Sequence, residues 1–364
     1  MRNAYRMILS TRCLRVGRWL GLMSFMLLPS VVHAQSVTGV GFHSITIHDP
    51  VNGGTMPGYV FYPSAKPSAV TWLGPYKLNA TADAPPIAGP KPLVVISHGH
   101  SGSDLGHHDL AVYLASHGFI VATLQHPRDN HIDDTGDGHP EVMIGRPIQV
   151  KAAISMLLHD PHWKTLIDPE RIGVAGFSNG GYTSLLLVGG VPQFVRFIGY
   201  CKAHADDPNI CGHVKQMVAQ LAKQGSTATQ YLTAMQGELQ RWGNMDDPRI
   251  KAAFAMAPLS LIFDKAGLAS INRPVFLYYG QGDEVLRPKY NVLHIAPLIN
   301  TLVGIKMIPK AGHYVFLAPC SPQLTREAPE ICRDPPGVDR VEAHAQINAG
   351  ALAFFRKTLV PSSH

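Results

Sequence analysis

The chain has 364 residues, 46% hydrophobic and 15% charged, a composition that excludes a disordered or fibrous protein and suffices for one large core or two smaller ones. Its formal net charge of +6 comes from the N-terminus, where Arg2, Arg6, Arg12, Arg15 and Arg18 stand without an acidic residue among the first 34. Removing those five from the 31 basic residues leaves 26 against 25 acidic ones, a near-neutral remainder that gives no reason to expect a nucleic-acid partner.

The arginines precede the apolar run Trp19 to Leu28, and Val32-His33-Ala34 presents small residues where a signal peptidase reads. The run is shorter than the ~20 residues that cross a bilayer comfortably. Residues 1–34 are therefore expected to be a signal peptide, cleaved after Ala34 to leave an exported protein, periplasmic or secreted. No lipobox-like cysteine stands at the cleavage point, so no membrane anchor is expected. Loss of Cys13 leaves Cys201, Cys211, Cys320 and Cys332. An even count in an exported chain predicts two disulfides. Three pairings are formally possible, and Cys201–Cys211 with Cys320–Cys332 is preferred because it closes short loops.

Beyond the signal, Thr38 to Ile47 and Gly58 to Tyr62 read as opening strands from their β-branched and aromatic residues. Pro63 to Pro92, rich in proline and alanine, reads as a long surface loop. Continuous apolar runs then recur at Leu93–Ser97, Phe119–Leu124, Arg171–Gly176, Lys251–Met256, Pro274–Tyr279 and Leu302–Ile308, as in parallel strands buried on both faces. Helical stretches lie between and after them, near Leu105–His117, Pro147–His159, Asn179–Val188, Pro288–Leu298 and Val338–Thr358. Alternation of this kind predicts right-handed βαβ units in a mostly parallel, doubly wound sheet with its ligand beyond the strands' carboxyl ends. About sixty residues between Val188 and Lys251 exceed a simple connection. They predict a helical cap, about 191–248, broken by Gly225 and Ser226, inserted into a single domain of residues 35–364.

The chemistry concentrates at strand ends. Gly176-Phe177-Ser178-Asn179-Gly180-Gly181 follows the strand Ile172-Gly173-Val174-Ala175 and opens a helix, which puts Ser178 on a sharp strand-to-helix turn. A serine hydroxyl needs a base to take its proton, and the base needs a carboxylate to orient it. Asp283 follows the next-to-last strand and His313 the last. The order Ser178, Asp283, His313 is that of the α/β-hydrolases. Glu284, one residue on and longer, is the alternative carboxylate.

Asp168 to Gly181, together with Ser97-His98-Gly99 upstream and Ala311-Gly312-His313 downstream, resembles the dienelactone-hydrolase-like branch of the α/β-hydrolase superfamily, and also the platelet-activating-factor acetylhydrolases. The resemblance runs from about Gly58 onward and is weakest in the cap. It implies a serine esterase that takes a small-molecule ester without any cofactor, with the backbone N–H of His100 and of Asn179 as the oxyanion hole. Dienelactone hydrolase proper has a cysteine nucleophile where this chain has Ser178, which points to ordinary carboxylic esters. A peptidase or acyltransferase with the same triad is the alternative.

The same turn bears on Ser97-His98-Gly99-His100-Ser101-Gly102-Ser103-Asp104-Leu105-Gly106-His107-His108-Asp109, whose four histidines and two aspartates raise the question of a metal. Adjacent His107 and His108 cannot face one ion from a helix, and His98 and His100 flank the turn that the oxyanion role uses. No metal is expected. His98 is expected as a hydrogen-bond partner behind the turn, and His126, Arg128 and His131 either as polar pocket wall or as exposed loop.

Overall fold

The computed structural model describes residues 37–361. The expected export signal and its cleavage point lie outside them. Eleven strands occur among the described residues: β1 (Gly39–His48), β2 (Thr55–Ser64), β3 (Val70–Leu73), β4 (Tyr76–Asn79), β5 (Thr81–Ala82), β6 (Lys91–Ser97), β7 (Ile120–Leu124), β8 (Ile167–Phe177), β9 (Ile250–Met256), β10 (Val275–Gly280) and β11 (Leu302–Ile308). Nine form one sheet in the order β11-β10-β9-β8-β6-β7-β2-β1-β5, and β3 pairs with β4 apart from it.

The β1/β2 and β2/β7 pairs are antiparallel, and from β7 to β11 every neighbour is parallel. With the two-residue β5 set aside, this is the α/β-hydrolase fold. Strand β6 lies between β7, which follows it, and β8, to which the chain crosses next. That reversal makes the carboxyl ends of β6 and β8 the place for a ligand.

The apolar runs become strands because both of their faces are covered. In β6, Leu93 and Val95 enter one core, shared with the helix α3 (Gly145–His159) and α4 (Asn179–Leu187). Val94 and Ile96 enter the other, shared with α1 (His108–Ser116) and the C-terminal helix Arg340–Leu359. Alternation of side chains along a strand dictates this division, and each such buried side chain stabilises the fold by about 1.5–3 kcal/mol. Gly173 of β8 lets the C-terminal helix approach, since a Cβ there would meet the Phe355 ring at 2.7 Å.

Two expectations are corrected. The stretch 63–92 is not bare loop: Trp72-Leu73-Gly74-Pro75-Tyr76 turns the β3/β4 hairpin, with Gly74 at φ 54°, and its alternating residues escaped notice among the prolines. Pro288–Leu298 contains only the single turn Val292–Ile295 and a 3-10 turn Ala296–Leu298, because Pro288 and Pro297 deny backbone donors.

Between α4 and β9 lie three further helices, labelled here after the short α2 (Pro140–Met143): α5 (Arg196–Ala203), α6 (Pro208–Lys223) and α7 (Ala228–Arg241). Asp207 caps α6 by accepting from the Asn209 and Ile210 amides, and Thr227 with Gln230 forms a capping box on α7. A disulfide joins Cys201 of α5 to Cys211 of α6, and a second joins Cys320 to Cys332. Among the described residues no helix is long and apolar enough to cross a membrane.

Candidate active site

Ser178 leaves β8 and enters α4 with φ 55° and ψ −115°, a left-handed backbone that costs a non-glycine residue of order 1–3 kcal/mol. The turn is held by its neighbours. The Ser178 amide donates to the Met256 carbonyl at 2.9 Å, and the Ser178 carbonyl accepts from Leu259 at 3.1 Å. Close approach explains two of the glycines around it: a Cβ on Gly176 would lie 2.1 Å from the Gly180 carbonyl, and one on Gly180 would lie 1.9 Å from the Ser97 carbonyl. Gly180→Ala is therefore expected to destabilise the protein by at least about 3 kcal/mol, the upper part of the range for overpacking, because the obstacle is backbone. A melting temperature within 2 °C of wild type would contradict that account.

His313 and Asp283 arrive on adjacent loops. Gly280 ends β10 so close to the loop after β11 that a Cβ would meet the Ala311 carbonyl at 2.4 Å, and the Gly282 amide donates to that carbonyl at 2.9 Å. This brings His313 Nδ1 within 2.7 Å of Asp283 Oδ2 and leaves Nε2 to accept from Ser178 Oγ at 2.9 Å. The other carboxylate oxygen of Asp283 accepts from the amides of Val285 and Leu286 at 2.9 and 2.8 Å. Asp283 and His313 are buried, and Ser178 is half-buried. Glu284 is exposed, and its carbonyl accepts from Asn209 of α6. Of the two candidate carboxylates, Asp283 is the one in contact with the histidine.

The amides expected as oxyanion donors belong to the carboxyl ends of β6 and β8. Among the described residues, neither the His100 nor the Asn179 amide has a hydrogen-bond partner within the protein. The Asn179 amide belongs to the first turn of α4, where unpaired donors and the helix dipole favour an anion. Gly99 lets its turn pass beside the nucleophile, since a Cβ there would stand 3.3 Å from the Ser178 Cβ.

The four histidines of that stretch have separate partners. His98 donates from Nδ1 to the Gly99 carbonyl and accepts the His126 amide at Nε2, at 2.6 and 3.0 Å. Burial, aided by the nearby Arg146 charge, pushes its imidazole down to about 3. His100 pairs with Asp129, His107 donates to the Phe316 carbonyl, and His108 to that of Leu105. His126 is not pocket wall. It is buried behind the turn, accepting from Ser97 Oγ and donating to Gln149. Arg128 faces Glu141 at 3.6 Å, and His131 is exposed.

Sequence reasoning missed Asp129, Arg146 and Gln149, all buried behind the site. A signal existed for two of them. It applies to Arg146 and Gln149, polar residues in an otherwise apolar helix that are seldom buried without a partner; Asp129, in a polar loop, offered none.

Fold and site together define an α/β-hydrolase fold with Ser, His and Asp side chains joined at its strand ends. Residues 69–135 match the family model for platelet-activating factor acetylhydrolase, isoform II. The matched segment contains β6, the turn at His100 and Asp129. Over 90% of its length the chain superimposes on 92% of a ferulic acid esterase from Streptomyces cinnamoneus, with a TM-score of 0.56 and 20% sequence identity. No curated protein matches the chain in sequence.

Proposed function

We propose that the protein is an exported serine hydrolase of carboxylic esters. The observation that carries this reading is the continuous hydrogen-bonded series Asp283–His313–Ser178, with 2.7 and 2.9 Å contacts, beside two unpaired amides. Ser178 Oγ attacks the acyl carbon while His313 Nε2 takes its proton, and Asp283 stabilises the resulting imidazolium. The carbonyl oxygen, now negative, is received by the amides of His100 and Asn179. Collapse expels the alcohol, which leaves with the proton from His313. Water, deprotonated by the same imidazole, then attacks the acyl-enzyme and releases the carboxylic acid.

The family match over the β6 turn supports an esterase, as does the fold shared with a ferulic acid esterase. Two disulfides support export. The insertion 191–248 is assigned as a cap on the hydrolase domain 35–364, and residues 1–34 as the signal peptide. Contacts that support the cap run from α6 and α7 to the loops beside the site: His213 Nδ1 to Asp137 at 2.9 Å, the Tyr231 hydroxyl to the Gly138 carbonyl at 3.1 Å, and Asn209 to Glu284.

The test is hydrolysis of p-nitrophenyl acetate and butyrate, with stoichiometric loss of activity on fluorophosphonate treatment and the added mass on the peptide containing Ser178. Folded protein that neither turns over these esters nor takes the label would overturn the reading, and cleavage of peptides in preference to esters would redirect it.

A further inference from the structure

We propose that Asp129 is a positioning residue for the oxyanion hole, one buried carboxylate that sets where the two receiving amides stand relative to each other. The proposal rests on the esterase reading above. Its basis is the distribution of that carboxylate's contacts. Oδ1 accepts from the ring of His100 at 2.6 Å and from the Ser101 amide at 3.2 Å, which ties it to the turn after β6. Oδ2 accepts from the Asn179 side chain at 2.9 Å, which ties it to the first residue of α4. Those are the two residues whose backbone amides are assigned to the oxyanion in the proposed function, and their segments issue from different strands.

The fourth donor is Arg146, whose Nη1 lies 2.7 Å from Oδ2. Its guanidinium also donates to Ser97 Oγ at 3.1 Å and to the His98 carbonyl, bracing the same turn from behind. Asp129 and Arg146 are 0% and 1% exposed. Packing alone does not ask for such a pair, since apolar residues of similar volume often serve the core as well or better. What an apolar substitute cannot do is grip two loops at defined distances.

The surroundings agree with this role. Asn179 Oδ1 is buried without a partner among the described residues, so the amide group is held by its bond to Asp129. Burial opposes charge on both Asp129 and His100. The Arg146 charge and the His100 contact nevertheless hold Asp129 below the usual carboxylate range, while Asp129 raises His100 above the usual imidazole range.

Asn179→Ala is the informative variant, because it cuts one grip and leaves both the amide and the buried ion pair in place. Asp129→Asn strands the Arg146 charge and puts folding at risk, so it is read only if its melting temperature and circular dichroism match wild type. For Asn179→Ala, kcat on p-nitrophenyl acetate is expected to fall about 10- to 100-fold with KM within about threefold, the pattern of a misplaced transition-state contact. A trifluoromethyl ketone, which forms an oxyanion on Ser178, is expected to bind more weakly by a similar factor. A folded Asn179→Ala with kcat within twofold of wild type would overturn the proposal, as would lost kcat with undiminished affinity for the ketone. Wild-type protein without esterase turnover would instead overturn the reading beneath it. An active wild type beside an unaffected Asn179→Ala rejects the role of Asp129 alone.

Discussion

Exchange of Ser178 for alanine is expected to lower kcat on p-nitrophenyl butyrate by about 10⁴- to 10⁶-fold, the size of effect seen when a serine nucleophile is removed. The geometry gives the reason. His313 Nε2 has one acceptor position, and it is occupied by Ser178 Oγ at 2.9 Å. Without that oxygen the imidazole can still activate water, but no covalent acyl intermediate divides the reaction into two easier steps. His313→Ala should cost nearly as much, and the double variant little more than either single one, because the pair acts as a unit. Stability should not fall in parallel, since alanine at 178 keeps the backbone that the Met256 and Leu259 hydrogen bonds hold. Steady-state kinetics alongside thermal melts would decide the matter. Turnover by folded Ser178→Ala at more than a hundredth of the wild-type rate would remove Ser178 from the chemistry.

The second large effect is acid sensitivity. His98, His107 and His126 are buried. Burial, first among the causes, holds His98 down to about 3 and His107 to about 4, and it pushes His126 well below the ordinary imidazole value. Arg146 adds to the shift in His98 and His126. In the unfolded chain each titrates near 6.5. Their contribution is complete above that pH and is lost as pH falls below it, because only the unfolded chain then takes up the protons. Each group has a slope of about 1.4 kcal/mol per pH unit, so three give about 4.

His344 behaves in the opposite sense. Asp109, at 2.6 Å, and the Val315 carbonyl, at 2.8 Å, overcome the effect of burial and raise its imidazole. Its contribution is therefore complete below about 6.5 and is lost as pH rises through the folded value. On acidification from pH 7.5 that contribution is regained down to about 6.5 and adds nothing below it, so it offsets only a small part of the loss. Urea midpoints at pH 7.5 and pH 5.0 are expected to differ by an equivalent of about 5 kcal/mol, with uptake of nearly three protons per chain on unfolding at the lower pH. Equal midpoints would show that the three imidazoles titrate normally.

Much of the fold was legible because its central strands bury both faces. Runs such as Leu93-Val94-Val95-Ile96 and Ile172-Gly173-Val174-Ala175 have no polar face to present, and helical periodicity between them leaves a parallel sheet as the arrangement that hides both. The elbow at Ser178 was legible in part for a local reason: glycine at 176 stands where the turn brings its backbone against that of Gly180, within five residues, whereas the need for glycine at 180 comes from Ser97 of β6. The single turn at Val292–Ile295 and the β3/β4 hairpin were less so. Prolines punctuate both segments, and short elements depend on neighbours that no local window contains.

Contact between residues far apart in the chain is of another kind. Nothing in the spacing of Asp283 and His313 requires that Gly280 let one loop lie against the carbonyl of Ala311, yet that approach is what sets the 2.7 Å contact. Asp129 illustrates the limit best. In sequence it is one acidic residue in a polar loop, with nothing to distinguish it from half-buried Asp133 or exposed Asp134. Only the tertiary structure surrounds it with Arg146, His100 and Asn179, donors contributed by three separate segments. The type of chemistry follows from residues near one another in sequence, because a turn's backbone is a local matter. Electrostatic placement follows from which distant groups share a dry interior, where a charge without a partner is costly.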